Sequence, residues 1–386
     1  MNGRKYKIVY CTPALYSAGG VERVVSGKAS YFAESFDYDV TIILTEGKGR
    51  PFFFPLSDKV KVVNLGLDFE ELWNASFLKK VALYLKKQYR YRRLLREELE
   101  RLRPDFTITT LRREINFIND IDDGSLKIGE IHLNRENFRK ADSGKPRWLV
   151  TLFASWWRSR LVGKLQQLDK FVVLTESSVA EWPELDNVVS IPDSLAFRPA
   201  ERSPLDSRRV ITIGRYSYEK GYDLLLKAWA VVERQCPDWT LDIYGMGDSS
   251  SHEAMASEWG IDLSRCHFNG AIKDVRKAYL QSSVFVMSSR FEGFGLVLVE
   301  AMACGVPIVS FACQSGPVEM IDDGVNGLLA AEGDYQDLAD KLIRLMQSSE
   351  LRMRLAENGV KRSAQYDIDK IAQLWKSLFE GLKKET

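Results

Sequence analysis

Paired cysteines are missing from this chain. Its five cysteines, Cys11, Cys236, Cys266, Cys304 and Cys313, are scattered, and none falls in a Cys-x-x-Cys spacing. Neither a zinc site nor a disulfide framework is indicated. Unpaired cysteines suit a reducing compartment, so a cytoplasmic location is expected. A charge excess is also missing. The 54 Lys and Arg against 53 Asp and Glu leave a net charge of +1. That excludes a globally basic nucleic-acid binder, while local patches remain open. No stretch reaches the eighteen or so apolar residues a spanning helix needs; even the run around Val297 is broken by Glu300. Residues 1–16 carry basic side chains but no long apolar core, so they do not read as a signal peptide. No Gly-x-Gly-x-x-Gly follows the first apolar run, which disfavours a dinucleotide cofactor.

What is present is globular. A hydrophobic fraction of 45% and a charged fraction of 28% over 386 residues fit two to three domains. Short continuous apolar runs read as strands buried on both faces of parallel sheets. In the first half they are Lys7–Tyr10, Val40–Leu44, Val60–Leu65, Phe106–Thr109, Lys127–Ile131 and Phe171–Leu174. In the second they are Val210–Ile213, Leu241–Tyr244, Val284–Met287 and Ile308–Ser310. Helical spacing joins Leu78, Val81, Ala82 and Leu85, and again Leu225, Ala228, Trp229 and Val232. A segment with Pro192, Pro199 and Pro204 near the midpoint reads as a linker. The expectation is α/β, with two doubly wound Rossmann-like domains.

The chemistry concentrates in two clusters. Glu292 and Glu300 bracket Glu-Gly-Phe-Gly-Leu-Val-Leu-Val-Glu, where glycines permit close approach and a helix opening near Leu296 aims free N–H groups at an anion. About seventy residues upstream, Arg215 and Lys220 lie in Gly-Arg-Tyr-Ser-Tyr-Glu-Lys-Gly at the C-terminal end of a strand, where open α/β sheets bind ligands. Two carboxylates for hydroxyls beside two cations for phosphates describe a nucleotide-sugar site. Gly19 and Gly20, between the first strand and a helix beginning near Val21, offer backbone N–H groups for a phosphate. His132, at the end of the Lys127–Ile131 strand, could position a sugar or assist a proton; neighbouring Glu130 is a weaker acid/base candidate.

These motifs resemble the Glu-x7-Glu signature of retaining glycosyltransferases of the GT-B fold, family 4. The resemblance runs through Gly19-Gly20-Val21-Glu22-Arg23-Val24, Val172–Glu176, Ser190–Ser194, Arg215 with Lys220, and Gly305–Val309. It implies two domains, about 1–195 on the acceptor side and 196–367 on the nucleotide-sugar side, with residues 368–386 a helix crossing back to the first. It implies that Arg215 and Lys220 hold the diphosphate, Glu292 the donor sugar and Glu300 the ribose. Gly245, Gly270, Ala271 and Ile272 would hold the base through main chain. Phe294, Gly295 and Leu296 would approach sugar and phosphate through backbone N–H groups. The implied reaction moves a hexose or N-acetylhexosamine from a nucleotide diphosphate sugar, UDP most often, to a polysaccharide or lipid-linked oligosaccharide of capsule or lipopolysaccharide type. It needs no metal and no cofactor beyond the donor itself. The rival readings are a nucleotide-sugar epimerase or sugar phosphorylase on the same fold, or a non-catalytic nucleotide-sugar binder.

Two features stand apart. Asp120-Ile121-Asp122 is a literal Asp-x-Asp, a metal motif elsewhere, but it runs into Asp-Gly-Ser and reads as a surface turn. Lys79 to Arg103 holds ten Lys and Arg against three Glu, with Tyr84, Tyr89 and Tyr91 interleaved. Residues 145–168 contain no acid and include Trp148, Trp156 and Trp157. Basic, aromatic helices of this kind can lie on anionic lipid, which makes peripheral contact with the inner face of the cell membrane an expectation; the bland alternative is a pair of helices packed on the sheet.

Overall fold

A computed structural model describes residues 5–74, 77–132, 135 and 160–385. The chain divides into two compact units, one of Met1–Pro192 with Ile371–Thr386 and one of Asp193–Lys370.

The first unit is built on a seven-stranded sheet in the order β3-β2-β1-β4-β5-β6-β7. Its strands are Lys7–Thr12 (β1), Asp39–Leu44 (β2), Lys61–Asn64 (β3), Phe106–Thr109 (β4), Leu126–Glu130 (β5), Lys170–Val173 (β6) and Val188–Ser190 (β7). Every pairing is parallel. The register sets Ile8 beside Val40 and Phe106. Burial on both faces explains why these strands read as unbroken apolar runs rather than alternating ones. Helices Gly20–Ser35 (α1) and Phe77–Leu102 (α2), a helical stretch at 160–166 (α3) and the short Glu176–Ala180 (α4) cover them.

The second unit holds a six-stranded parallel sheet, β10-β9-β8-β11-β12-β13. Its strands are Arg209–Ile213 (β8), Thr240–Tyr244 (β9), Cys266–Asn269 (β10), Val284–Met287 (β11), Ile308–Phe311 (β12) and Leu328–Ala330 (β13). Its helices are Tyr222–Gln235 (α5), Ser250–Glu258 (α6), Val275–Leu280 (α7), Leu296–Ala303 (α8), Gly316–Met320 (α9), Tyr335–Gln347 (α10) and Ser349–Ser363 (α11). Leu225, Ala228, Trp229 and Val232 are fully buried against the sheet, the face their spacing predicts.

The last helix, Ile368–Glu385 (α12), buries Ile371, Ala372, Trp375, Phe379 and Leu382 in the core of the first unit, among Tyr6, Phe32 and Phe106. The Phe106 and Phe379 rings lie 4.5 Å apart. In both sheets the strand order reverses beside the first strand, between β1 and β4 and between β8 and β11. The C-terminal ends of the strands at such a reversal are the ligand position of doubly wound sheets.

Candidate nucleotide-sugar site

The second unit places its predicted residues at that reversal. Arg215 and Lys220 follow β8; Glu292, Phe294 and Gly295 follow β11; Leu296 starts α8. Lys220 ends a 3-10 turn, Tyr218–Lys220, and does not begin the next helix, because Gly221 takes a left-handed φ of 61° and α5 starts only at Tyr222. A Cβ at Gly221 would lie 2.1 Å from the Ser288 carbonyl oxygen, so this approach of the two loops requires glycine.

Across the loops, Lys220 Nζ donates to Glu292 Oε1 at 2.6 Å, and the Ser289 hydroxyl donates to the same oxygen at 2.6 Å. Ser288 Oγ donates to the Lys220 carbonyl at 2.9 Å. Arg215 is exposed and makes no ion pair or hydrogen bond among the described residues. Gly295, at φ 87°, precedes α8 without a side-chain cap, leaving the first N–H groups of that helix to an outside acceptor. Glu300 is fully buried on α8, its Oε2 accepting from the Tyr279 hydroxyl at 3.2 Å. Close packing behind this loop comes from Gly316, where a Cβ would meet the Phe294 carbonyl at 1.7 Å, and from a backbone bridge between Glu292 and Ser315.

Arg290 was no sequence candidate, yet it locks the site. It donates to both carboxylate oxygens of Asp223, at 2.8 and 2.6 Å, and to the Tyr218 carbonyl at 2.8 Å. Its guanidinium also stacks 4.2 Å over the Tyr218 ring. The Arg290 guanidinium holds the Asp223 carboxyl below its ordinary range. The only sequence signal for this clamp was an Arg just before the Glu-x7-Glu run; its partner lies 67 positions upstream.

The loops after β9 and β10, expected to hold the base, are organised by backbone. Gly245 cannot carry a side chain, since a Cβ would lie 2.1 Å from the Gly214 carbonyl. Its N–H donates to the Asn269 carbonyl at 3.1 Å, while Gly214 N–H donates to Tyr244 at 2.9 Å. Tyr216 ties the loops together, its hydroxyl 3.0 Å from the carbonyls of Ile243 and Asn269, and burial pushes that phenol up to about 12. Gly270 and Ala271 are exposed just after β10, with Ile272 half-buried beside them. That edge strand stands two places from β8, or about 10 Å.

In the first unit, Gly19 is the extended residue before α1, and Gly20 is the first helical one. Glu22 sits in that first turn and accepts from the Ser17 hydroxyl, so a carboxylate already faces the positive end of the helix. His132 lies two residues beyond β5, its Nε2 3.7 Å from Glu130 Oε1. Glu130 is committed elsewhere: it forms a buried ion pair with Lys28, whose ammonium also stacks 4.3 Å over Trp375. A carboxylate so paired is a poor proton carrier.

The Asp120–Asp122 turn pairs with cations. Asp120 lies 3.5 Å from both Arg92 and Lys164, and among the described residues neither aspartate joins a cluster of three metal-type ligands. The five cysteines are buried and unpaired. Among the described residues no helix is long and apolar enough to cross a membrane. Trp148, Trp156 and Trp157 lie outside the described residues.

Comparison with known proteins bears on the fold and the family. Residues 193–362 match the model of the glycosyl transferases group 1. An uncharacterized glycosyltransferase of Haemophilus influenzae is 29% identical over 96% of this chain and 99% of its own. The amylovoran biosynthesis glycosyltransferase AmsD of Erwinia amylovora is 25% identical over 97% and 99%. A crystal structure of S. aureus TarM, a mutant in complex with Fondaparinux, alpha-GlcNAc-glycerol and UDP, superposes with a TM-score of 0.78 at 17% identity, covering 97% of this chain and 99% of that one. The fold is GT-B. Together these findings support a GT-B glycosyltransferase, with residues 193–362 similar to the group 1 glycosyl transferases.

Proposed function

We propose that the chain transfers a hexose or N-acetylhexosamine from a nucleotide diphosphate sugar, with UDP as the nucleotide, to a polysaccharide or lipid-linked oligosaccharide, with retention at the anomeric carbon and without a metal ion. The observation that carries this reading is the Lys220–Glu292 pair joining the loops after β8 and β11 at the strand-order reversal.

In the free protein Glu292 offsets the charge of Lys220, so Arg215 supplies the uncompensated cation for a diphosphate. A bound diphosphate would draw Lys220 as well, releasing Glu292 to accept from hydroxyls of the donor sugar. Free N–H groups after Gly295 add a positive helix end. These groups stabilise charge that develops on the leaving nucleotide, a role a metal fills in other folds. Glu300 would serve the ribose by exchanging the Tyr279 hydroxyl for a ribose hydroxyl. None of the residues named here is placed as a nucleophile, which suits substitution on one face with the departing phosphate taking the acceptor proton.

Two similar proteins support this reading: the TarM complex contains UDP, and AmsD is named as a glycosyltransferase of amylovoran biosynthesis. The test is NMR of the anomeric proton in the product from an α-linked donor. An α-linked product is expected. A β-linkage would overturn retention, and turnover of donor to an epimer without acceptor would replace transfer with epimerisation.

A further inference from the structure

The second unit carries a groove at the opposite edge of its sheet from Arg215 and Glu292. Two adjoining cavities, of about 460 and 660 Å³, share Asp206, Ser207, Arg208 and Asp238 as walls. They open at the N-terminal ends of β8 and β9, beside Arg209 and Thr240. β8 has five residues, so this edge stands roughly 15 Å from Gly214. Three helices end here: α5 at Gln235, α7 at Leu280 and α10 at Gln347.

The loop entering β8 is strained. Leu205 takes a left-handed φ of 58°, a conformation that bulky side chains rarely adopt. Hydroxyls on both sides hold it there. Ser203 Oγ accepts from the Leu205 N–H at 3.2 Å and donates to the Ser282 carbonyl at 2.6 Å, while Ser207 Oγ lies 3.1 Å from Ser283 Oγ. Strain of this kind clusters at ligand clamps. The residue that follows is Asp206, an exposed lining carboxylate with no ion pair or hydrogen bond among the described residues. Gln235, Gln281 and Gln347 also line the groove, and their exposed amides have no hydrogen-bond partner among the described residues.

The cations of the groove are already offset. Arg208 pairs with Asp238, and Arg209 with Asp242 at 2.9 Å. Arg352 donates to the Leu345 and Met346 carbonyls at the end of α10, at 3.0 and 2.6 Å. With those pairings, the uncommitted Asp206 and three helix C-terminal ends disfavour a phosphate or other anion. Three lining guanidiniums disfavour a cation. A peptide strand has no edge to join, because β8 lies between β9 and β11, and β9 between β10 and β8. A neutral ligand rich in hydroxyls fits: each hydroxyl donates and accepts, matching a carboxylate that accepts and amides that do both. Trp239 and Met346 add buried apolar lining for the C–H faces of a sugar ring. We propose that the groove binds a neutral oligosaccharide, one ring in each cavity, with Asp206 between the rings, Gln347 on one side and Gln281 on the other. Binding itself does not depend on the proposed transfer reaction; use of the site to hold a growing chain rests on that reading.

Fluorine NMR of the full chain labelled with fluorotryptophan tests it, the Trp239 resonance being assigned with Trp239→Phe. The probes are maltotetraose, N-acetylated chitotetraose and mannotetraose, each titrated with UDP present. At least one should move the Trp239 resonance along a saturating curve. Asp206→Ala/Gln347→Ala should weaken that binding by about tenfold or more, the scale of losing a hydrogen bond to a charged group. Both side chains are exposed, so the melting curve of the variant should match the wild type, and so should its stabilisation by UDP. Saturable binding without any transfer activity would uphold the site and remove only its role in transfer. No movement with any of the three oligosaccharides, equal affinity in the variant, or an equal shift from sodium phosphate or spermine at matched ionic strength would each overturn the proposal.

Discussion

Arg215 and Lys220 share a loop but not an environment. Arg215 is open to solvent, whereas Lys220 is held by Glu292 and only about a fifth exposed. Arg215→Ala should therefore lower kcat by about a hundredfold, the size of losing one preorganised stabilising group, with little change in stability. Lys220→Ala should lower kcat comparably and also lower the melting temperature, because among the described residues the Glu292 carboxylate then keeps the Ser289 hydroxyl but loses its ion-pair partner. Wild-type rates at saturating donor in both variants would remove the clamp. The Arg290–Asp223 pair gives a test in pH. The folded-state value of Asp223 is depressed, so its stabilising contribution is present above the ordinary carboxylate range and disappears as pH falls through the folded value. The melting temperatures of wild type and Asp223→Asn should differ at neutral pH and converge on acidification; a gap that stays constant with pH would show that the ion pair is not its source.

Between elements, the decisive feature is how closely the loop after β8 meets the loop after β11. Gly221 combines a left-handed φ with a backbone carbonyl where its Cβ would stand, while Gly333, at φ 75°, has open space around it. Gly333→Ala should cost about 1 kcal/mol of backbone strain. Gly221→Ala should cost clearly more, since loop and strand must also separate. Calorimetry on the two variants settles this, and equal melting temperatures would mean the loops are not held together as described. Loss of donor binding in Gly221→Ala alone is the expected companion result, because Lys220 and Ser288 move with the same contact.

For the molecule as a whole, the proposed function has side chains and a helix end supply the charge that would meet a diphosphate. Transfer should survive a chelator at full rate. Complete loss in EDTA with recovery on adding Mn²⁺ or Mg²⁺ would count against the cationic clamp and reopen Asp120 and Asp122. Donor binding should also raise the melting temperature by mass action, and a panel of UDP-, GDP- and ADP-sugars would rank the nucleotides.

Sequence alone determined the alternation of strands and helices, because strands buried on both faces must be continuously apolar and core-facing helices must repeat near 3.6 residues. It also determined the two motif clusters, since Gly-rich turns with charges at fixed spacing are local chemistry. The short strands Val188–Ser190 and Leu328–Ala330 escaped it: each has three residues, too few to show a period. The Arg290–Asp223 clamp, the commitment of Glu130 to Lys28 and the burial of Glu300 against Tyr279 were equally invisible. Each joins residues that meet only when parallel strands or helices far apart in the chain are packed side by side. Tertiary structure likewise decided which face of α2 is buried, because apolar spacing is the same whether the stripe meets a core or faces outward; only the seating of Tyr91, Leu95 and Leu99 chose between them.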